Sequence, residues 1–233
     1  MPLMRLDKFL SELGVASRKE LRQIIKSGRV LVNGAAVNAP EYKLDLERDT
    51  VVLDGETLSY VKFRYFMLDK PSGVLSATED RRQKTVLDLL PPELQALELF
   101  PVGRLDKDTS GLLLLTNDGE TAHKILSPNK KVGKTYVVTA KLPVTEDMLC
   151  ALREGVDIGG VITKKADARL LSPDTVRLTI YEGKFHQIKR MFYAVGNEVI
   201  LLKRIAYGNV FLDAALKEGM YRPLTDEELK KLV

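Results

Sequence analysis

Asn33-Gly34, set between Val30-Leu31-Val32 and Ala35-Ala36-Val37, commits the chain to reverse direction within two residues. Both residues tolerate the positive φ that a type I′ turn demands at its two central positions, so the flanking runs pair as a hairpin. The residues before it are equally constrained. Leu6, Phe9, Leu10 and Leu13 recur at helical spacing, and Gly14 ends that turn. Ser17 then offers an N-cap, with Glu20 three residues on to complete a capping box. The second helix turns Leu21, Ile24 and Ile25 inward. Arg18, Arg22, Lys26 and Arg29, spaced 4, 4 and 3 apart, stack along another side, with Lys19 also off the apolar face. Two short helices and a hairpin predict a small α/β domain over residues 1–58.

Charge is concentrated in that unit. Residues 1–34 carry seven Lys or Arg against three Asp or Glu, whereas residues 35–60 carry two against six. Over the whole chain the balance is only 36 Lys and Arg to 32 Asp and Glu, so the distribution carries more information than the total. A run of cations on an arbitrary helix is ordinarily a solvated face. Here two short helices with a basic side are followed by Arg-Val-Leu-Val-Asn-Gly, and this order resembles the S4 domain, a small RNA-binding module. The resemblance implies that Arg18, Lys19, Arg22, Lys26 and Arg29 meet RNA phosphates, contacts that position a protein without reading sequence.

From Tyr60 onward the texture changes to longer elements, with a boundary expected near residues 56–62 and a second domain over 62–233. The fold class is α+β. Leu112–Leu115 reads as a short buried strand closed by Asn117-Asp118-Gly119, and residues 119–126 as a helix. Lys134–Ala140 and Thr175–Tyr181 alternate as half-buried strands, Phe185–Val195 reads as helix, and Val199–Leu202 as an apolar strand. The single cysteine, Cys150, excludes an internal disulfide framework, and its helical context predicts a small buried apolar role. With only His123 and His186 present, no histidine-based metal site is expected. No apolar run approaches the roughly 20 residues of a membrane span, so no membrane partner and a cytoplasmic location are expected.

Chemistry concentrates in Gly103-Arg104-Leu105-Asp106-Lys107-Asp108-Thr109-Ser110-Gly111-Leu112. Small and hydroxylic residues around a carboxylate, just before a buried strand, suit a cleft edge. A calcium loop would use Asp106, Asp108 and Ser110 at its first, third and fifth positions, but its twelfth falls on Asn117 instead of Glu. A P-loop at Gly133-Lys134-Thr135 would need glycine where Pro128 stands. Asp108 and Asp118 suit the capping of local amides. The pattern Gly-Arg-Leu-Asp-x-x-Thr-x-Gly-Leu resembles the signature of the RsuA/RluA superfamily of pseudouridine synthases, with every fixed position filled. Asp69-Lys70-Pro71-Ser72-Gly73 is similar to the family's Asn-Lys-Pro loop, with Asp69 where Asn is usual. Lys134-Thr135-Tyr136, Glu182-Gly183-Lys184-Phe185-His186-Gln187-Ile188-Lys189-Arg190-Met191-Phe192 and Tyr221-Arg222-Pro223-Leu224-Thr225 resemble further motifs of the RsuA branch.

The resemblance implies a mainly antiparallel pseudouridine synthase domain with flanking helices, behind the S4-like module. It implies isomerisation of a uridine in ribosomal RNA, with the small subunit favoured. A large-subunit target or a non-catalytic rRNA-binding assembly factor remains the alternative. The reaction is redox-neutral, so no cofactor and no metal are expected. Asp106 becomes the essential carboxylate, as nucleophile or as base, in a closed pocket beside the cation Lys189. Arg104 is the candidate to fill the space left by a flipped base, Tyr136 to stack on that base, and Leu202 (or Leu201) to form the floor. Lys130, Lys131, Lys134, Lys184, Arg190, Lys203 and Arg204 are candidates for a basic track. A monomer is expected.

Overall fold

In a computed structural model the described residues are 3–127 and 132–232, and the side chain of Arg18 is not among them. Two compact units divide the chain: residues 1–64 with 90–99, and residues 65–89 with 100–233.

The first unit runs β1 (Leu3–Arg5), α1 (Leu6–Glu12), α2 (Arg18–Lys26), β2 (Val30–Val32), β3 (Ala35–Ala36), β4 (Lys43–Asp45), β5 (Val51–Leu53), β6 (Glu56–Leu58) and, after the excursion into the other unit, α3 (Pro92–Gln95). Strands order as β3-β2-β5-β6, and β1 pairs with β4. Ser17 and Glu20 complete the reciprocal capping box at the start of α2. Asn33 and Gly34 take φ of 52° and 83°, and the Asn33 carboxamide also accepts from the Thr50 amide and donates to Asp49. The core is Leu6, Phe9 and Leu10 from α1, Leu21 and Ile25 from α2, and Val30, Val32, Leu44 and Val51 from the strands.

The second unit contains β7 (Tyr65–Lys70), a 3-10 turn (Leu87–Leu89), β8 (Phe100–Val102), β9 (Ser110–Thr116), α4 (Gly119–Leu126), β10 (Lys134–Ala140), α5 (Glu146–Glu154), β11 (Asp167–Ser172), β12 (Thr175–Ile180), α6 (Gln187–Ala194), β13 (Val199–Tyr207), β14 (Val210–Phe211), β15 (Tyr221–Pro223) and α7 (Asp226–Leu232). One sheet orders them β11-β12-β10-β13-β9-β7-β15, with β8 on β9 and β14 on β13. Among the described strand pairs of this sheet, only β13–β9 is parallel. Leu112, Leu113, Leu114 and Leu115 are all at most 2% exposed, so β9 is covered on both faces. Each such leucine contributes roughly 1.5–3 kcal/mol of burial, which makes β9 a rigid base for the loop before it. Asp118 caps α4 by accepting from the Thr121 amide.

Three sequence expectations need correction. Cys150 is exposed, because α5 buries Leu149 and Leu152 instead. Phe185 is not helical: His186 takes a left-handed φ of 48°, so α6 begins only at Gln187. The strand expected at Val199–Leu202 continues to Tyr207, and Ile200 and Leu201 point to solvent. No helix among the described residues is long and apolar enough to cross a membrane.

Candidate active site

An open cleft of about 1090 Å³ lies in the second unit, walled by the 103–109 loop, the facing side chains of β10 and β13, and the 181–188 segment. The loop has no regular secondary structure, and the Asp-Lys-Pro-Ser-Gly segment holds it in place. Lys70, wholly buried, donates to the carbonyls of Pro71, Lys107 and Thr109. The Gly73 amide bonds the Lys107 carbonyl at 2.8 Å, and the Ser76 hydroxyl both donates to and accepts from the backbone of Leu105. Burial pushes the Lys70 ammonium down to about 8, against the pull of the Asp108 and Asp106 carboxylates. Two motifs far apart in sequence are thus one fastening. Lys70→Met strips a donor from three carbonyls at about 1–3 kcal/mol per buried group left unpaired. The Lys107 carbonyl keeps the Gly73 amide, so two carbonyls are left unpaired and the melting temperature should fall by roughly 4–24 °C. An unchanged melting temperature would mean that other donors replace the ammonium.

Asp69 is 2% exposed and meets Lys203 Nζ at 2.9 Å. A buried carboxylate requires such a cation. Lys203 is therefore committed to Asp69.

Asp106 stands at the cleft edge with its side chain 31% exposed, so the pocket is open where a closed one was expected. Lys189, carried by α6, comes within 3.6 Å of one carboxylate oxygen, and His186 Nε2 within 3.8 Å of the other. Lys189 lies closer still to Asp108, at 2.5 Å. An ammonium has three donors, so it can serve both carboxylates. The hydrogen bond from Lys189 holds the Asp108 carboxyl below its ordinary range, outweighing partial burial. Asp108, expected to cap local amides, accepts from its own backbone amide and is also the nearer partner of Lys189.

The remaining expected residues fall into two groups. Arg104, Lys134, Tyr136 and Leu202 all line the cleft. Tyr136 and Leu202 are each 7% exposed, whereas Leu201, one residue along β13 and on the opposite face, is 66% exposed. Arg190 does not line the cleft. Its guanidinium donates to the carbonyls of Ile158 and Phe185. Lys184 is paired with Glu182. Lys130 and Lys131 lie outside the described residues. In the first unit Lys19, Arg22 and Lys26 are exposed and form no ion pair among the described residues, while Arg29 is paired with Asp54.

Sequence reasoning missed His186 as a neighbour of Asp106, and Phe185, 76% exposed at the cleft with its ring stacked 3.9 Å from that of His186. The left-handed residue that arranges both leaves no periodic signal. It also missed the depth of Arg204, which is 2% exposed and lines the cleft from β13.

A carboxylate between a lysine and a histidine, beside a cleft with a buried tyrosine and an exposed arginine, stands in a unit of known class. Residues 64–194 match the RNA pseudouridylate synthase family and residues 4–51 match the S4 domain. The chain belongs to the RNA pseudouridine synthase family and carries an S4 domain at its N-terminal end. It is 50% identical, over 98% of both chains, to an uncharacterized RNA pseudouridine synthase of Bacillus subtilis, YtzG. It is 44% identical to the ribosomal small subunit pseudouridine synthase A of Escherichia coli K12, over 99% of this chain and 100% of that one. A crystal structure of a pseudouridylate synthase aligns with a TM-score of 0.70 at 40% identity, covering 99% of this chain and 100% of the other.

Proposed function

We propose that this protein isomerises a uridine of small-subunit ribosomal RNA to pseudouridine, with Asp106 as the essential carboxylate. The observation that carries the reading is the setting of Asp106, 3.6 Å from Lys189 at the edge of a cleft that also holds Arg104, Tyr136 and Leu202. Full-length similarity to a small-subunit enzyme supports the choice of RNA. In the reaction the N1–C1′ bond breaks and a C5–C1′ bond forms; C5 gives up its proton and N1 gains one. Composition is unchanged, so neither oxidant nor reductant is consumed. A uridine stacked in RNA must leave its helix before C1′ is reachable. Arg104, exposed at the cleft, fills the vacated space; Tyr136 stacks on the extruded ring; Leu202 underlies it. Lys189 sets an ammonium 3.6 Å from Asp106, a favourable neighbour for that carboxylate as the polyanion approaches.

Incubation of the purified chain with small- and large-subunit rRNA, followed by chemical mapping of pseudouridines, tests this. One new pseudouridine is expected, in the small-subunit RNA. A product confined to the large-subunit RNA would overturn the choice of substrate, and no product in either would overturn the activity.

The exposed cations of α2, Lys19, Arg22 and Lys26, supply phosphate contacts in this reading. Arg29 joins them only by giving up Asp54. Replacing Lys19, Arg22 and Lys26 together by Gln should weaken rRNA binding and reduce the slope of log K against log salt by about two to three, close to one per phosphate contact. Filter binding across a salt series reads this directly. An unaltered slope would remove α2 from the interface.

A further inference from the structure

The basic track expected from the sequence is largely dismantled by pairing. Lys184 is taken by Glu182, Lys203 by Asp69, and Arg190 by backbone carbonyls. On the sheet that floors the cleft, Arg204 and Lys134 have no carboxylate partner among the described residues. Arg204 is 2% exposed; its Nε donates to the Leu112 carbonyl at 2.8 Å, but its Nη2 is buried with no hydrogen-bond partner. Lys134 reaches over the ring of Tyr207, with Nζ 5.3 Å from the centroid, and the Arg204 guanidinium lies 5.4 Å from the same centroid. Strand register explains the grouping. Tyr136 pairs with Arg204 and Lys134 with Tyr207 across β10 and β13, so all four side chains share one face of the sheet.

A desolvated guanidinium with an orphaned donor is costly unless an anion completes it. The cost is raised by the neighbouring ammonium: burial first, then repulsion from Arg204, lowers the pKa of Lys134. The cleft carboxylates are engaged elsewhere, Asp106 with Lys189 and His186, Glu182 with Lys184 and Gln187. Neutral uracil carbonyls offer no charge to offset two cations. The anionic group of RNA is its phosphodiester.

We propose that Arg204 and Lys134 form a phosphate seat on the cleft floor that receives the phosphodiester flanking the target uridine. The proposal rests on the reading of this cleft as the uridine site. It gives the floor a division of labour. Tyr136 and Leu202 meet the base, while the two cations anchor the backbone of the extruded nucleotide and fix its C1′ relative to Asp106.

Binding of uridine, uridine 5′-monophosphate and uridine 3′-monophosphate to the full chain, measured by NMR titration at low and high salt, tests it. One of the two phosphates should bind the wild type at least about 10-fold more tightly than uridine, an advantage that shrinks with salt. Lys134→Met should remove most of that advantage and leave uridine itself unchanged. Arg204→Met should do the same, and Arg204→Lys should restore part of it; the melting temperature of each variant separates a lost seat from a lost fold. Equal binding of uridine and both phosphates by the wild type would overturn the seat while leaving the cleft reading intact. Failure of all three to bind in the cleft would overturn both.

Discussion

Asp106→Asn should abolish pseudouridine formation while leaving RNA bound. The amide matches the carboxylate in shape, and the loop around it is fastened by the backbone of Leu105, Lys107 and Thr109, so the substitution leaves the fastening intact. Nor does it orphan a cation: Lys189 keeps Asp108 at 2.5 Å. What disappears is a group able to attack carbon or accept a proton, and losses of such groups cost on the order of 10⁴-fold or more. Removing one negative charge from a cationic cleft should hold RNA affinity level or raise it. Single-turnover conversion of rRNA and filter binding, run side by side, separate the two effects. Activity above about one hundredth of wild type would show that another group does the chemistry. Asp108→Asn provides the contrast. It takes away the closer partner of Lys189 and leaves Asp106 to receive the whole ammonium, so its loss should be far smaller.

The features legible in the sequence are those decided within a few residues. The Ser17–Glu20 capping box, the Asn33-Gly34 turn and the Asp118 cap are local bargains between side chain and backbone. The choice of Leu202 over Leu201 needed the β10–β13 register, which pairs Leu202 with buried Val138. Long-range partners left no trace. Lys203 and Asp69 are separated by 134 residues, and Arg190 and Ile158 by 32. Sequence therefore overstated the number of free cations, because any lysine reads as available until the fold supplies its carboxylate. The start of α6 was misplaced for a related reason. Left-handed backbone at His186 is set by the tertiary site, not by local propensity, and it swings Phe185 out to the cleft. Such breaks between local preference and observed structure concentrate at functional positions.

Gly111→Ala should damage fold and site together. Gly111 is the second residue of β9 and pairs with Lys70 on one side and Arg204 on the other. A methyl group there would lie 2.2 Å from the Arg204 carbonyl oxygen and 2.7 Å from its amide nitrogen. Both are backbone atoms in the middle of a sheet, with no flexible side-chain end to give way. The φ of 104° adds strain for any L residue, about 1–3 kcal/mol by itself. Together the two effects should cost at least about 4 kcal/mol, a fall of roughly 8–16 °C in melting temperature. Gly73→Ala isolates the strain: its φ is 86°, but nothing lies within 4 Å of the added carbon, so it should cost only about 1–2 kcal/mol. If calorimetry finds the two variants equally stable, the close β9–β13 approach is not what demands glycine at position 111. If Gly111→Ala is the weaker protein, relief of the clash must push β13 away from β9. That displaces Arg204 and Leu202 relative to Asp106, so residual folded protein should lose activity beyond its loss of stability.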